Sequence, residues 1–289
     1  MSSAGEGRNR MISWEGNRKH RFSSLRVLVL STLLIAPLSV VCAAEPTLLD
    51  MGFQQMYNLQ FADAHESFSQ WQRLHPDDAL GPASDAAAYL FTEFDRLHIL
   101  QSAVFTHDQR FITDHKLTPD ASLKQNFETA LNRALALSDR LPQDPNARFA
   151  AVLCHGLRSD YMALIEKRFL PWFREMKTAR VLAERLLESH PDYYDAWIAV
   201  GVENYMLSVK AAPVRWLLRL GGGKTDRTLG LERLQITAEK GHYLLPFARL
   251  LLAVAALREH DTDRARNILE DLAKKFPHNP LYVQELARL

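Results

Sequence analysis

The segment RLGGGKTDRTLG, residues 219–230, sets three glycines before a Lys-Thr pair, which is how a phosphate-binding loop ends. In such a loop backbone amides cradle the phosphates and the lysine neutralises them. The geometry needs a glycine, four residues and then Gly-Lys-Ser/Thr, set between a buried strand and a helix. Here the position five before Gly223 is Leu218, and the upstream PVRWLLRL lacks the bounded apolar run of a strand. The residues are better explained as a joint between two helices. Gly221 to Gly223 end the first, Thr225 or Asp226 caps the second, Leu231, Leu234 and Ala238 line one face of it, and Gly241 closes it. No nucleotide and no other cofactor is expected.

The eleven histidines form neither His-Glu-x-x-His nor another recognised ligand spacing, so no metal site is expected. His75, His190 and His278 each adjoin a proline that ends a helical pattern, where an imidazole interacts favourably with the helix dipole. His107 and His115 share the irregular stretch THDQRFITDHKLTPD, residues 106–120, and leave a two-residue metal contact open. Cys154 stands beside His155, but adjacency does not place a thiol on an imidazole, and there is no Gly-x-Ser-x-Gly. Without a paired nucleophile and base the chain is not expected to be an enzyme, and no catalytic residue is assigned. In AAPVRWLLRL, residues 211–220, Arg215 and Arg219 flank Trp216, a composition suited to a membrane surface. The segment is too short to hold there alone, so the expectation is a helix packed between repeats.

These residues must be positioned by helices, because one phrase recurs four times: a small residue on an amphipathic pattern with a proline twelve residues later. The pairs are Ala64 with Pro76, Ala130 with Pro142, Ala179 with Pro191, and Ala265 with Pro277. Four residues after each alanine stand Phe68, Ala134, Ala183 and Leu269, and seven after it Trp71, Leu137, Leu186 and Leu272. Steps of four and three mark one helix face, the alanine admits a neighbouring helix, and the proline stops continuation. Asp77, Asp144, Asp192 and Asn279 then offer turn or capping chemistry.

With these residues the chain resembles the tetratricopeptide repeat, a helix-turn-helix unit of about 34 residues with Trp, Leu-Gly and Tyr on its first helix and Ala, Phe and Pro on its second. WIAVGVENY carries Trp197, Val200 and Gly201 at the first-helix positions, with Tyr205 one place late, and the first unit has Leu48, Met51 and Gly52 there. The C-terminal half is similar to exported tetratricopeptide-like proteins. Proline-to-proline steps of 66, 49 and 86 residues depart from a constant period, so the array carries extended helices and insertions. Hairpins are expected near 46–75, 84–141, 146–190, 194–240 and 244–276, with NPLYVQELARL as a closing helix.

The address lies at the N-terminus, where basic residues ending at Arg26 precede VLVLSTLLIAPLSVVCAA. This is the order of a signal peptide, with small residues at the cleavage spacing before Ala44 or Glu45, and Met11 stands as a second candidate start. The apolar run is shorter than the about 20 residues of a spanning helix. An exported protein, periplasmic or secreted, is expected, with residues 1–44 removed. Cys42 raises a lipid anchor as an alternative, although Val41 before it is larger than such sites prefer. Cys154 is then alone, so no internal disulfide forms. The chain holds 35 basic and 34 acidic residues, of which the first 44 residues hold six and two. The remaining 29 against 32 carry no general attraction for nucleic acid.

The fold class implied is all-α, a right-handed α-solenoid of helical hairpins over residues 45–289 with a C-terminal capping helix. Its concave surface, lined by first helices, implies a non-catalytic exported scaffold that binds a peptide or protein partner of the cell envelope. Asn204 and Tyr205, a turn beyond the packing positions Trp197 and Gly201, are the candidate partner-binding residues. The alternatives are an envelope hydrolase with its site in the groove or in residues 106–120, and a lipid-anchored envelope-assembly subunit.

Overall fold

The computed structural model describes residues 45–100 and 117–289. The expected signal segment, Cys42, His107 and His115 lie outside the described residues. Those described form helices joined by short turns, with no strand among them. By contact the helices associate as pairs: α1 (Leu48–Tyr57) with α2 (Phe61–Leu74), α3 (Leu80–Arg96) with α4 (Ala121–Ser138), and α5 (Pro145–Leu164) with α6 (Phe169–Ser189). Next come α7 (Trp197–Ser208) with α9 (Arg227–Lys240), the short α8 (Ala212–Leu220) lying between them in sequence, and α10 (Leu245–Arg258) with α11 (Thr262–Lys275). The last helix, α12 (Pro280–Leu286), packs on α11. Each pair also touches the next, and residues 45–289 form one compact unit by themselves.

The recurring positions face inward. Ala64, Ala130, Ala179 and Ala265 are all buried, as are Phe68, Ala134, Ala183 and Leu269 four residues on. Of the positions seven residues on, Leu137, Leu186 and Leu272 are buried and Trp71 is half-buried. The prolines act through the residue before them, because the Pro ring disfavours helical geometry there. His75, His190 and Phe276 accordingly end α2, α6 and α11 with near-identical φ/ψ of −129/68°, −135/74° and −126/69°. The fourth case differs, since α4 stops at Ser138, well short of Pro142.

Turns inside a pair follow another rule. The described residues with positive φ are Leu59, His98, Lys167, Gly222 and His260, one after the first helix or helices of each pair. After α1, α3, α8 and α10 the residue following it donates its N–H back across the turn: Gln60 to Gln55, Ile99 to Phe94, Gly223 to Leu218 and Asp261 to Ala256, at 2.8–2.9 Å. This six-to-one bond satisfies a terminal carbonyl that the helix cannot.

Two capping expectations need correction. After Pro76 the turn is held by Asp78 and not Asp77: its carboxylate accepts from the Leu80 N–H (2.9 Å) and from Trp71 Nε1–H (2.8 Å). In the fourth pair Asp195 replaces Asp192, because only Asp195 reaches the next joint. It is buried and accepts from the N–H groups of His242, Tyr243 and Leu244 at 2.9–3.1 Å. Asp144 and Asn279 cap α5 and α12 as expected.

Within residues 45–289 the first helix pair meets the last. Tyr57 Oη–H donates to the Tyr243 carbonyl (2.9 Å), Asn279 Nδ2 to the Tyr57 carbonyl (2.9 Å), and the His278 N–H to Asn58 Oδ1 (3.1 Å), while Phe53 stacks on Tyr243. The first pair therefore packs on the joints flanking the last pair and helps enclose an apolar interior. Among the described residues, no helix is long and apolar enough to cross a membrane.

Candidate functional site

The glycine-rich loop is built as a helix end. Gly222 has φ 83°, a conformation that excludes most side chains, and its N–H donates to Arg219 while that of Gly223 donates to Leu218. The next amides are taken by α7. Lys224 N–H donates to Glu203 Oε1 (2.9 Å), and Asp226 N–H to Asn204 Oδ1 (3.1 Å). Glu203 is fully buried, with Arg180 Nε at 3.0 Å from its other oxygen. Burial raises its carboxyl above the ordinary glutamate range, against the lowering effect of the Lys224 amide and Arg180. Asp226 caps α9 through the Leu229 N–H. The amides of residues 221–224 and 226 are thus turned onto the protein's own carbonyls and side chains.

Asn204 and Tyr205 are also inside, at 1% and 2% exposed. Their face of α7 is pressed against α9, where Gly201 and Gly230 allow close approach: a Cβ on Gly230 would lie 2.6 Å from the Tyr205 nitrogen. Asn204 spends its amide on the Val200 carbonyl and on Asp226, not on the Arg215 segment. The structure therefore places both residues in a helix contact, with Asn204 also bordering the open pocket at the glycine-rich loop.

A different face of α7 looks into the interior. Ile198, Ala199, Val202 and Met206 join Phe53 of α1, Phe91 of α3, Phe149 and Val152 of α5 and Phe247 of α10 around cavities of about 80 and 120 Å³, and a third of about 40 Å³ lies between Phe91, Phe247 and residues of α1, α10 and α12. Phe91 and Phe247, 5.7 Å apart edge to face, line all three and stand between them. The two larger cavities share Asp160. On α5 the spacing Phe149, Val152, Gly156, Asp160 continues one face, so the helix carries the carboxylate to the same wall as its apolar residues. Burial alone pushes the Asp160 carboxyl up to about 7, and no cation or hydrogen-bond donor among the described residues offsets it. The side chain is only half-buried because it lines the cavity. One turn earlier, a Cβ on Gly156 would meet nothing within 4 Å, so this glycine leaves space that no packing requires.

No family model matches the chain, and no curated protein or solved structure matches it either. The interior must be judged on its own chemistry. Ser159 donates to the Trp172 carbonyl (3.4 Å), and Lys210 and Arg258 line the 120 Å³ cavity with Asp160. Cys154 is fully buried, its thiol pushed up to about 12 by that burial, while His155 turns to Glu175 Oε2 (2.6 Å). The two neighbours therefore serve different contacts. Among the described residues, no group of three His, Cys, Asp or Glu is placed to hold a metal ion.

Sequence reasoning passed over Asp160. The available signal was a carboxylate continuing the i, i+3, i+4 row of an apolar helix face, with a mid-helix glycine one turn before it.

Proposed function

We propose that the chain is an exported, non-catalytic tetratricopeptide-like binding protein, a right-handed stack of helix pairs with α12 as its cap. Its interior takes apolar and cationic side chains of a protein or peptide partner in the cell envelope. The repeat reading is supported by Gly52 and Gly201, which match the same first-helix position and do the same work. A Cβ on Gly52 would collide with Phe68, and one on Gly201 with Leu234, so each glycine receives a bulky residue of its pair's second helix. Export rests on the signal-peptide order of residues 1–44 alone.

The observation that carries the binding reading is the row of small, mainly apolar cavities, with Asp160 in the wall of the two larger and Glu285 in that of the smallest. An apolar cavity of about 150 Å³ holds one benzene ring, so spaces of about 40 to 120 Å³ suit single side chains. Asp160 supplies the polar point that sets orientation, and a lysine or arginine beside it gains most from a site with little water. Peptides pairing leucine or phenylalanine with lysine should bind, and matched peptides with glutamate in place of lysine should not, as read by fluorescence anisotropy. Binding should strengthen severalfold from about pH 6 to about pH 8 as Asp160 ionises, and Asp160→Asn should remove that pH dependence. Equal binding of both peptide sets would overturn the reading.

One observation favours a second reading. A carboxyl titrating near 7 suits a general acid or base, as an envelope hydrolase would require. The same mixtures decide: intact peptide after long incubation supports binding, and cleavage lost in Asp160→Asn supports catalysis.

A further inference from the structure

The helix α8 is held by very little. Leu218 is its one buried residue, set among Met176, Trp172 and Phe173 of α6 and Leu207 of α7. Its other large apolar side chains point away from the protein, with Trp216 62%, Leu217 61% and Leu220 68% exposed, while the half-buried Arg215 donates to the Ser208 (3.1 Å) and Lys210 (3.2 Å) carbonyls. A nine-residue helix is too short to be stable by itself, so this outer face is presented by the Leu218 contact and by the loop that ends the helix. That loop sits on Phe173, and Lys177 Nζ of α6 donates to the Gly221 carbonyl (2.9 Å).

The first turn of α6 extends the same surface. Phe169 and Leu170 are exposed, the latter by 66%, and the Phe169 ring lies 5.1 Å from Trp172. Charge is segregated here. Residues 167–174 and 209–224 contain seven lysines and arginines and no acidic residue, which leaves 22 basic against 32 acidic in the rest of 45–289. Glu166, just before the first of these segments, is held by Lys124 (2.7 Å) and by Arg168 (3.2 Å), which is one of the seven, and Glu203, which accepts from the Lys224 N–H (2.9 Å), is buried.

We propose that α8 and the first turn of α6 form a docking face for the surface of an anionic phospholipid bilayer. Trp216, Leu217 and Leu220 enter the acyl boundary, and the surrounding cations meet lipid phosphates. The composition favours lipid over a protein partner, because seven cations and no acidic residue stand around the apolar residues, whereas protein interfaces are depleted of charge at their apolar centre. Here cations alternate with the apolar residues along one short helix, as in interfacial segments. The length that made the segment inadequate alone is made up by a second element fixed beside it.

The test uses residues 45–289, which form a compact unit without the signal segment, and two vesicle types, phosphatidylcholine alone and phosphatidylcholine mixed with phosphatidylglycerol. Co-sedimentation with the anionic vesicles, weak with the neutral ones and reversed by salt, is expected. The Trp216→Ser, Leu217→Ser, Leu220→Ser variant should bind about tenfold more weakly, with unchanged helical circular dichroism because the replaced side chains are outside the core. Should that variant lose helix, the single Leu217→Ser change gives the same decision with a smaller loss. Absence of binding to anionic vesicles, or full binding by a folded variant, overturns the proposal. The two readings share Trp172, Met176 and Lys210, but the replaced residues Trp216, Leu217 and Leu220 line none of the three cavities, so either can fail alone.

Discussion

The Gly-Gly-Gly-Lys-Thr loop and the α5 segment around Asp160 look opposite in sequence and in structure. The loop has the residues of a ligand site, yet its amides are engaged by Glu203, Asn204 and the preceding helix. The α5 segment carries no ligand-site pattern, yet Asp160 stands in the wall of mainly apolar cavities with burial pushing it up to about 7. The lesson is about partners. A group is available for chemistry when the fold leaves it uncompensated, and residue type alone does not report compensation.

The strongest way to break this contrast is Arg180→Met, which would leave Glu203 buried beneath the loop without its cation. Stability should fall by about 3–5 kcal/mol at neutral pH, measured by urea unfolding. The loss should shrink under acid as Glu203 becomes protonated. A negligible change would mean that the loop is not held as described.

Asp160→Asn should act in the opposite direction. An aspartate whose folded-state pKa lies near 7, above the unfolded 3.8, lends stability that is complete at low pH. That stability is lost as pH rises from about 4 through about 7, because the unfolded chain ionises more readily. The variant cannot ionise, so it should exceed the parent by about 1–3 kcal/mol above about pH 8. The full shift is discounted because the side chain is only half-buried. Below about pH 4 the two should coincide. Parallel melts across the pH range would show that Asp160 is solvated after all.

Gly156→Ala sharpens the cavity side of the comparison. The added methyl enters open space and improves helix propensity, so unfolding should be harder by about 0.5–1 kcal/mol. A destabilised variant would show that the space is filled. The smallest effect belongs to Lys224→Ala, whose exposed side chain does not carry the loop's contacts with Glu203. Its stability should stay within about 0.5 kcal/mol of the parent, and calorimetry should detect no nucleotide binding to either protein. Nucleotide binding to the parent that is lost in Lys224→Ala would return the loop to the list of sites.

Much of the secondary structure was legible because its signals are local. The alanine positions, the residues four and seven beyond them, and the prolines mark helix faces and ends through periodicity and sterics that need no partner. The joints within pairs were visible only where Gly222 supplies the left-handed residue. Leu59, His98, Lys167 and His260 adopt the same region without glycine, a strain of about 1–2 kcal/mol each that the surrounding packing sustains. No residue type announces such a turn.

The sequence by itself determined the all-helical class, the faces of the second helices, the ends of three of them, and a cap at Thr225 or Asp226 that makes the glycine-rich loop a joint. Each depends on residues within a few positions of one another, where bond geometry and helix period act directly. Tertiary structure decided that Asn204 and Tyr205 are spent on α9, that the first pair packs against the joints of the last, and that Asp160 faces cavities while Trp216 faces out. These outcomes depend on which surfaces meet across tens to hundreds of residues. A side chain's protonation and availability follow from that meeting, because desolvation is a property of the surroundings and not of the residue.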